Sequence, residues 1–333
     1  MHILQMKLTK FAVVNLNIKQ VHTEPLQIMK TINKTTLFLI LVFLISFSVA
    51  GIYKILCGRN AGTFHFNLLA IAYMFIPTIC VLIVEKLIHK EKIKTRLLIS
   101  FKLNRWFLVA WLFMPVVSFV TLGISLLSPV IIYNPEMTGL LERMTAIMSP
   151  EQIERAKQSL QSLPISYLWI VLIQGLLSGI TINALFAFGE EVGWRGFLLR
   201  QFQQMSFIKA SLIIGTIWGI WHAPLILMGH NYPQHPQIGV LMMVVFCILL
   251  TPFHLYITIT AKSVIAAAIL HGTINSTATI SIIGISGGND LTSGITGLPG
   301  FISLSLFIMI LFIYDIFISK DKILTSQISK FIM

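Results

Sequence analysis

Apolar residues run through this chain in stretches of about twenty that carry almost no charge. That is the length an α-helix needs to cross the hydrocarbon core of a bilayer. Eight such stretches are found, at approximately 36–56, 64–88, 106–132, 165–188, 208–229, 238–260, 263–285 and 299–319. In hydrocarbon the backbone has to pair its N–H and C=O groups internally, so these runs predict helices. The sustained alternation of apolar and polar residues that marks a membrane barrel is absent. The expected fold is all-α, a polytopic membrane helix bundle with about eight transmembrane helices. Only 11% of the residues are charged, against about 25% in a soluble domain, which excludes an ordinary cytosolic enzyme.

The formal net charge is +12. In a soluble protein that would suggest nucleic acid. Here the positive residues sit in short segments beside apolar runs, where they encode orientation and meet lipid headgroups. Membrane lipids are therefore the expected partners, and nucleic acid is not. With the N-terminus placed in the cytoplasm, 19 Lys and Arg fall on the inner side and 5 on the outer side. This asymmetry predicts a multi-pass protein of the cell membrane with both termini cytoplasmic. Residues 1–34 lack the charge-free apolar core of a secretory signal, and Met29, just before the first run, is a second candidate start.

The chain divides into a cytoplasmic tail at 1–35, three helices over 36–132 and an extracytoplasmic loop at 133–164. A four-helix core follows at 165–285, then a last helix and cytoplasmic tail at 286–333. Ser149 ahead of Pro150 is a helix-start signal within the loop. Cys57, Cys80 and Cys247 are widely spaced and lack metal-like or disulfide patterning.

Ionisable groups within a membrane are costly and need a reason. Three places stand out. Glu190 and Glu191 close the fourth apolar run, with Arg195 four residues after Glu191. Glu191 and Arg195 share a helix face in the favourable order. Glu190 points about 100° away, so its partner must come from another helix, and it is a candidate general base or acid. His222 lies in the fifth run, with Trp218 one turn before it and Pro224 just after. His271 and Asn275 lie four apart in the seventh run, on one face, where imidazole and amide can both donate to a developing oxyanion. Each group alone has a structural explanation as a helix–helix hydrogen-bonding residue. One shared polar cavity accounts for all of them more economically.

Two chemistries fit. Either Glu190 and His222 activate a water while His271 and Asn275 hold the oxyanion, or Glu190, His222 and His271 bind Zn2+ with a position left open for water. No HExxH sequence occurs. The cofactor is accordingly none or zinc.

These motifs resemble the CPBP family of intramembrane proteases, which includes the type II CAAX prenyl endopeptidases and bacterial relatives linked to bacteriocin processing. The family's EExxxR motif is matched by Glu190, Glu191 and Arg195. Its FxxxH motif is matched in His222, with Trp218 at the aromatic position, and its third motif by His271 and Asn275. The resemblance covers about residues 165–285. It implies an endopeptidase in which Glu190, assisted by His222, activates water, His271 and Asn275 stabilise the tetrahedral intermediate, and Glu191, Arg195 and Trp218 shape the site. The Trp218 departure bears on packing around His222 and on substrate fit. Lys, Ile and Asn are abundant, as in AT-rich bacterial genomes, so the expected substrate is a peptide or membrane-bound precursor of a bacterial cell rather than a prenylated protein. The site is expected to open toward the cytoplasm, because Glu190 is read as lying at that end of its helix. A non-catalytic immunity or regulatory scaffold that retains the fold is the alternative. A transporter is a third, but the paired interrupted segments of such folds are not evident.

Overall fold

The computed structural model describes residues 32–57, 63–136, 138–139, 141 and 148–332. Most of the expected N-terminal tail, Met29 and part of the 133–164 loop lie outside the described residues.

The order of elements follows the apolar runs. Helix α1 spans Lys34–Cys57, and α2 spans Thr63–Val81 and continues through a wider π-type turn at Leu82–Ile88. Helix α3 is Arg105–Ser125, with Asn104 capping it by accepting the Trp106 N–H. Helix α4 is Pro150–Gln161, a surface segment closed by a reciprocal box between Ser149 and Gln152. It is followed by α5 (Tyr167–Ile180), α6 (Ile182–Glu191), α7 (Phe207–Trp221), α8 (Pro236–Ala261), α9 (Val264–Thr277) and α10 (Leu298–Ile313). A short antiparallel pair, β1 (Ile131–Tyr133) and β2 (Ile285–Gly287), sets Ile131 opposite Gly287 and ties the segment after α3 to the one after α9.

The chain is an all-α helix bundle and a multi-pass membrane protein. Among the described residues, six helical segments are long and apolar enough to cross a bilayer, and α5 with the helix that follows it supplies a seventh if the bent pair is one span. Two runs differ from straight spans. The fourth breaks at Thr181 with a bend of 49° between α5 and α6, where Thr181 has a non-helical backbone. The fifth holds a helix of only 15 residues, α7. It ends at His222, because Pro224 has no N–H to continue the ladder and a separate turn, Ala223–Ile226, takes over.

Polarity is arranged inside out. Ile55 and Leu127 are each 82% exposed, whereas Glu191, Arg195 and His254 are 0% exposed. With lipid as solvent, apolar side chains need no interior, and the buried space is left to the groups that lipid would reject. Helix α9 sits at the centre, packed against α6, α5 and α3, while α7 packs on α8. Small residues permit these approaches. A Cβ at Gly272 would lie 2.4 Å from the Ala184 nitrogen and 2.5 Å from the Gly179 carbonyl oxygen, so α9 can lie against the α5–α6 bend only with glycine there. Gly189 meets α2 in the same way, 2.6 Å from the Met74 carbonyl oxygen.

Candidate active site

The helix carrying the paired glutamates does not end at them. From α6 it widens through a π-type turn at Val192–Leu198 and runs on to Gln201. Glu190 therefore lies near the middle of the helical stretch Ile182–Gln201 rather than at its end. Sequence reading took the polar cluster for a helix terminus, but Glu191 and Arg195 neutralise one another inside the bundle and the ladder continues. π-type insertions of this kind often occur where function requires a local distortion.

The two adjacent carboxylates diverge. Glu190 sends Oε2 toward two indoles: Trp218 Nε1 donates to it at 2.7 Å and Trp194 Nε1 at 3.4 Å. Glu191 turns the other way. Its Oε1 accepts from Arg195 at 2.9 Å and from His271 Nδ1 at 2.8 Å. The Arg195 guanidinium also donates to Thr251 Oγ1 at 3.3 Å and lies over the Trp218 ring, 4.1 Å from its centroid.

His222 is held where α7 stops. Its Nδ1 faces the Trp218 carbonyl oxygen at 2.8 Å. That oxygen can only accept, so Nδ1 carries the proton and the neutral ring keeps its lone pair on Nε2. Just before it, the Trp221 carbonyl accepts from the Tyr73 hydroxyl at 2.9 Å, and the Trp221 indole donates to Ser46 Oγ at 2.8 Å. The end of α7 is thus pinned to both α1 and α2.

Glu190, His222, His271 and Asn275 come from three different helical segments and line one cavity of about 420 Å³. Trp218 lines it as well. Glu191 and Arg195 do not; they lie behind His271, fully buried. The apolar part of the wall includes Leu225, Met243, Phe246 and Ile274. The cavity runs toward His230, Asn231, Ile295 and Thr296, on the side of the loops before α8 and α10. Those loops are fastened to each other. The Tyr232 hydroxyl donates to the Thr296 carbonyl at 2.7 Å, and Asp290 Oδ2 accepts the backbone N–H of Gln234 at 2.7 Å. The expected opening at the Arg200–Lys209 side followed from putting Glu190 at a helix end. The continuous helix instead leaves the cavity facing the opposite loops.

Two features escaped the sequence reading. Trp218 does more than fill space, since its N–H is a hydrogen-bond partner of Glu190 that phenylalanine lacks. His254 on α8 was overlooked, although a histidine within an apolar run is itself a signal. It is 0% exposed, with its ring centroid 5.8 Å from that of His271 and its Nε2 4.0 Å from Glu191 Oε1. Among the described residues, a carboxylate and two histidines whose ligand atoms lie within 4.8 Å of one another are Glu191, His254 and His271. Glu190 and His222, the zinc candidates read from the sequence, are not in that group.

Much of the cavity wall comes from a segment with known counterparts. Residues 164–277 match the family model for type II CAAX prenyl endopeptidases of the Rce1-like kind. This segment is similar to the Rce1-like domain over that stretch. It holds Glu190, Glu191, Arg195, Trp218, His222, His271 and Asn275. A CAAX prenyl protease 2 of Methanococcus maripaludis is 43% identical over 44 residues, 13% of this chain and 16% of that protein. The chain thus aligns with about a sixth of the length of that curated relative. The matched segment begins just before α5 and ends with α9, so α1–α4 and α10 lie outside it.

Proposed function

We propose that the protein is an intramembrane endopeptidase that hydrolyses a peptide bond with a carboxylate-activated water. The observation that carries this reading is the meeting of Glu190, His222, His271 and Asn275 on one cavity inside an apolar bundle. Glu190 has one oxygen held by indole donors, which leaves the other to take a proton from water. His222 supplies a second acceptor at Nε2. The water oxygen then bonds to the carbonyl carbon, and the C–N bond breaks after collapse of the tetrahedral intermediate. The abstracted proton passes to the leaving amine, so the carboxylate is regenerated. His271 and Asn275, one turn apart on α9, face the oxyanion. The Glu191–His271 contact fixes the orientation of that imidazole, and donation to the oxyanion then requires a proton on Nε2.

The name of the relative, CAAX prenyl protease 2, is said of that protein alone. For this chain we propose a peptide or membrane-bound precursor whose scissile segment reaches the cavity from the loop side. The apolar wall formed by Met243, Phe246 and Ile274 would hold an apolar side chain or tail.

The direct test is cleavage by the full chain in lipid nanodiscs, using a fluorogenic library of membrane-tethered peptides. Glu190→Ala, His222→Ala and His271→Ala are each expected to abolish cleavage while the protein remains monodisperse. Undiminished turnover in Glu190→Ala would overturn the reading.

A further inference from the structure

His254 is a buried histidine to which peptide hydrolysis gives no task. Its Nδ1 faces the Leu250 carbonyl oxygen at 3.2 Å, and a carbonyl only accepts, so the neutral ring bears its lone pair on Nε2. That Nε2 is buried without a hydrogen-bond partner, and so is Glu191 Oε2. Both side chains are 0% exposed. Nε2 looks at the Glu191 carboxylate from 4.0 Å. A lone pair on Nε2 turned toward a carboxylate oxygen, here Oε1, in a dry interior is unfavourable unless a donor or a cation lies between them. His271 stands at the third corner, and the ligand atoms of the three residues lie within 4.8 Å of one another.

We propose that Glu191, His254 and His271 form a structural site for a divalent ion of the zinc class, behind the cavity wall. A carboxylate with two imidazoles is a familiar donor set for such an ion. Glu191 offers Oε1, which lies 2.8 Å from His271 Nδ1 and 4.0 Å from His254 Nε2 and also accepts from Arg195 at 2.9 Å. His254 offers Nε2, and His271 offers Nδ1, the nitrogen already turned toward Glu191. Zinc–nitrogen bonds of about 2.0–2.1 Å put neighbouring ligands about 3.3 Å apart in a tetrahedral shell, a separation that modest side-chain rotations reach. Arg195 is the competing cation. With Glu190 and Glu191 ionised the two carboxylates and the guanidinium sum to one negative charge, so a divalent ion would reverse the sign of the cluster rather than find it already neutral.

The site has a consequence for His271, and this part rests on the peptidase reading. When Nδ1 donates to Glu191, a neutral His271 shows the cavity only a lone pair at Nε2. An ion on Nδ1 moves the proton of the neutral ring to Nε2, which then donates to the oxyanion.

The test reads ion content rather than cleavage. The full chain, freed of any histidine tag and held in nanodiscs, is equilibrated with Zn2+ and analysed by mass spectrometry for metal. A parallel sample takes Co2+ for its visible spectrum. The expected result is about one ion per chain with the intense bands of tetrahedral Co2+, retained in Glu190→Ala and lost in His254→Ala. His254→Cys, which keeps a ligand atom, is expected to retain the ion with a thiolate charge-transfer band, and it serves if His254→Ala does not fold. Wild-type ion content no higher than that of His254→Ala would overturn the proposal, as would ion loss in Glu190→Ala. The two readings fail separately: cleavage by Glu190→Ala strikes the peptidase, and absence of bound ion strikes this site.

Discussion

The indole of Trp218 donates to Glu190 Oε2 at 2.7 Å, from α7 across to the helix that carries the glutamate. The same ring receives the Arg195 guanidinium on its face. One side chain thereby touches both the cavity carboxylate and the ion pair behind it. In Trp218→Phe the ring persists and the donor is lost. A hydrogen bond to a charged group contributes about 1.5–3 kcal/mol, so kcat/KM is expected to fall about 10- to 100-fold. Steady-state cleavage of one peptide by wild type and variant checks this. An unchanged kcat/KM would mean that Trp218 only packs.

The Glu191–Arg195 pair predicts a lopsided double-mutant cycle. Both partners are 0% exposed and 2.9 Å apart. Removing one leaves the other charge buried, which costs about 3–5 kcal/mol. Arg195→Met and Glu191→Gln should each lower the unfolding midpoint in detergent sharply. The double variant should recover part of the loss, since no unpaired charge remains. Additive losses would show that the two groups are not coupled.

How much of this was readable in advance depends on which physical signal a feature uses. Apolar runs report helices well because a bilayer demands length and lack of charge, and each predicted run contains a helix. They do not report continuity. Hydropathy averaged over a window passes smoothly across Thr181, where the backbone leaves helical geometry, and across His222, where α7 stops. Glu190, His222, His271 and Asn275 could be singled out because polar groups in such runs are rare. The i,i+4 relation of Glu191 to Arg195 was also legible, being local. The contacts of Trp218 with Glu190 and of His254 with Glu191 join different helices. They depend on how α7 and α8 are rotated about their axes, which spacing along one helix does not encode.

Gly272 should tolerate no side chain. A Cβ there would fall 2.4 Å from the Ala184 nitrogen, and a backbone atom cannot rotate away. Gly272→Ala must push α9 from the α5–α6 bend, with an overpacking penalty of about 1–3 kcal/mol. Because His271 is the preceding residue, cleavage should fall more steeply than thermal stability. Activity and the unfolding midpoint measured on one preparation decide it. A variant that loses stability while keeping full activity would show that the α9 position is not critical for His271.

Acid should weaken the fold through His230 in the loop before α8. Burial pushes its imidazole down to about 4, while an unfolded histidine titrates near 6.5. Above pH 6.5 both states are neutral and His230 adds no pH dependence. Between about 6.5 and 4 the unfolded chain takes up a proton that the folded chain refuses, so stability falls as the pH drops and levels off below about 4. His230→Phe keeps an aromatic ring beside Phe66, whose centroid lies 5.9 Å away, and removes the titration. Unfolding midpoints taken from pH 7 to pH 4 should therefore decline less in the variant than in the wild type. Equal declines would assign the acid sensitivity to other groups. Cleavage near pH 5 should be unaffected by His230 protonation, since the folded protein still holds that ring neutral there.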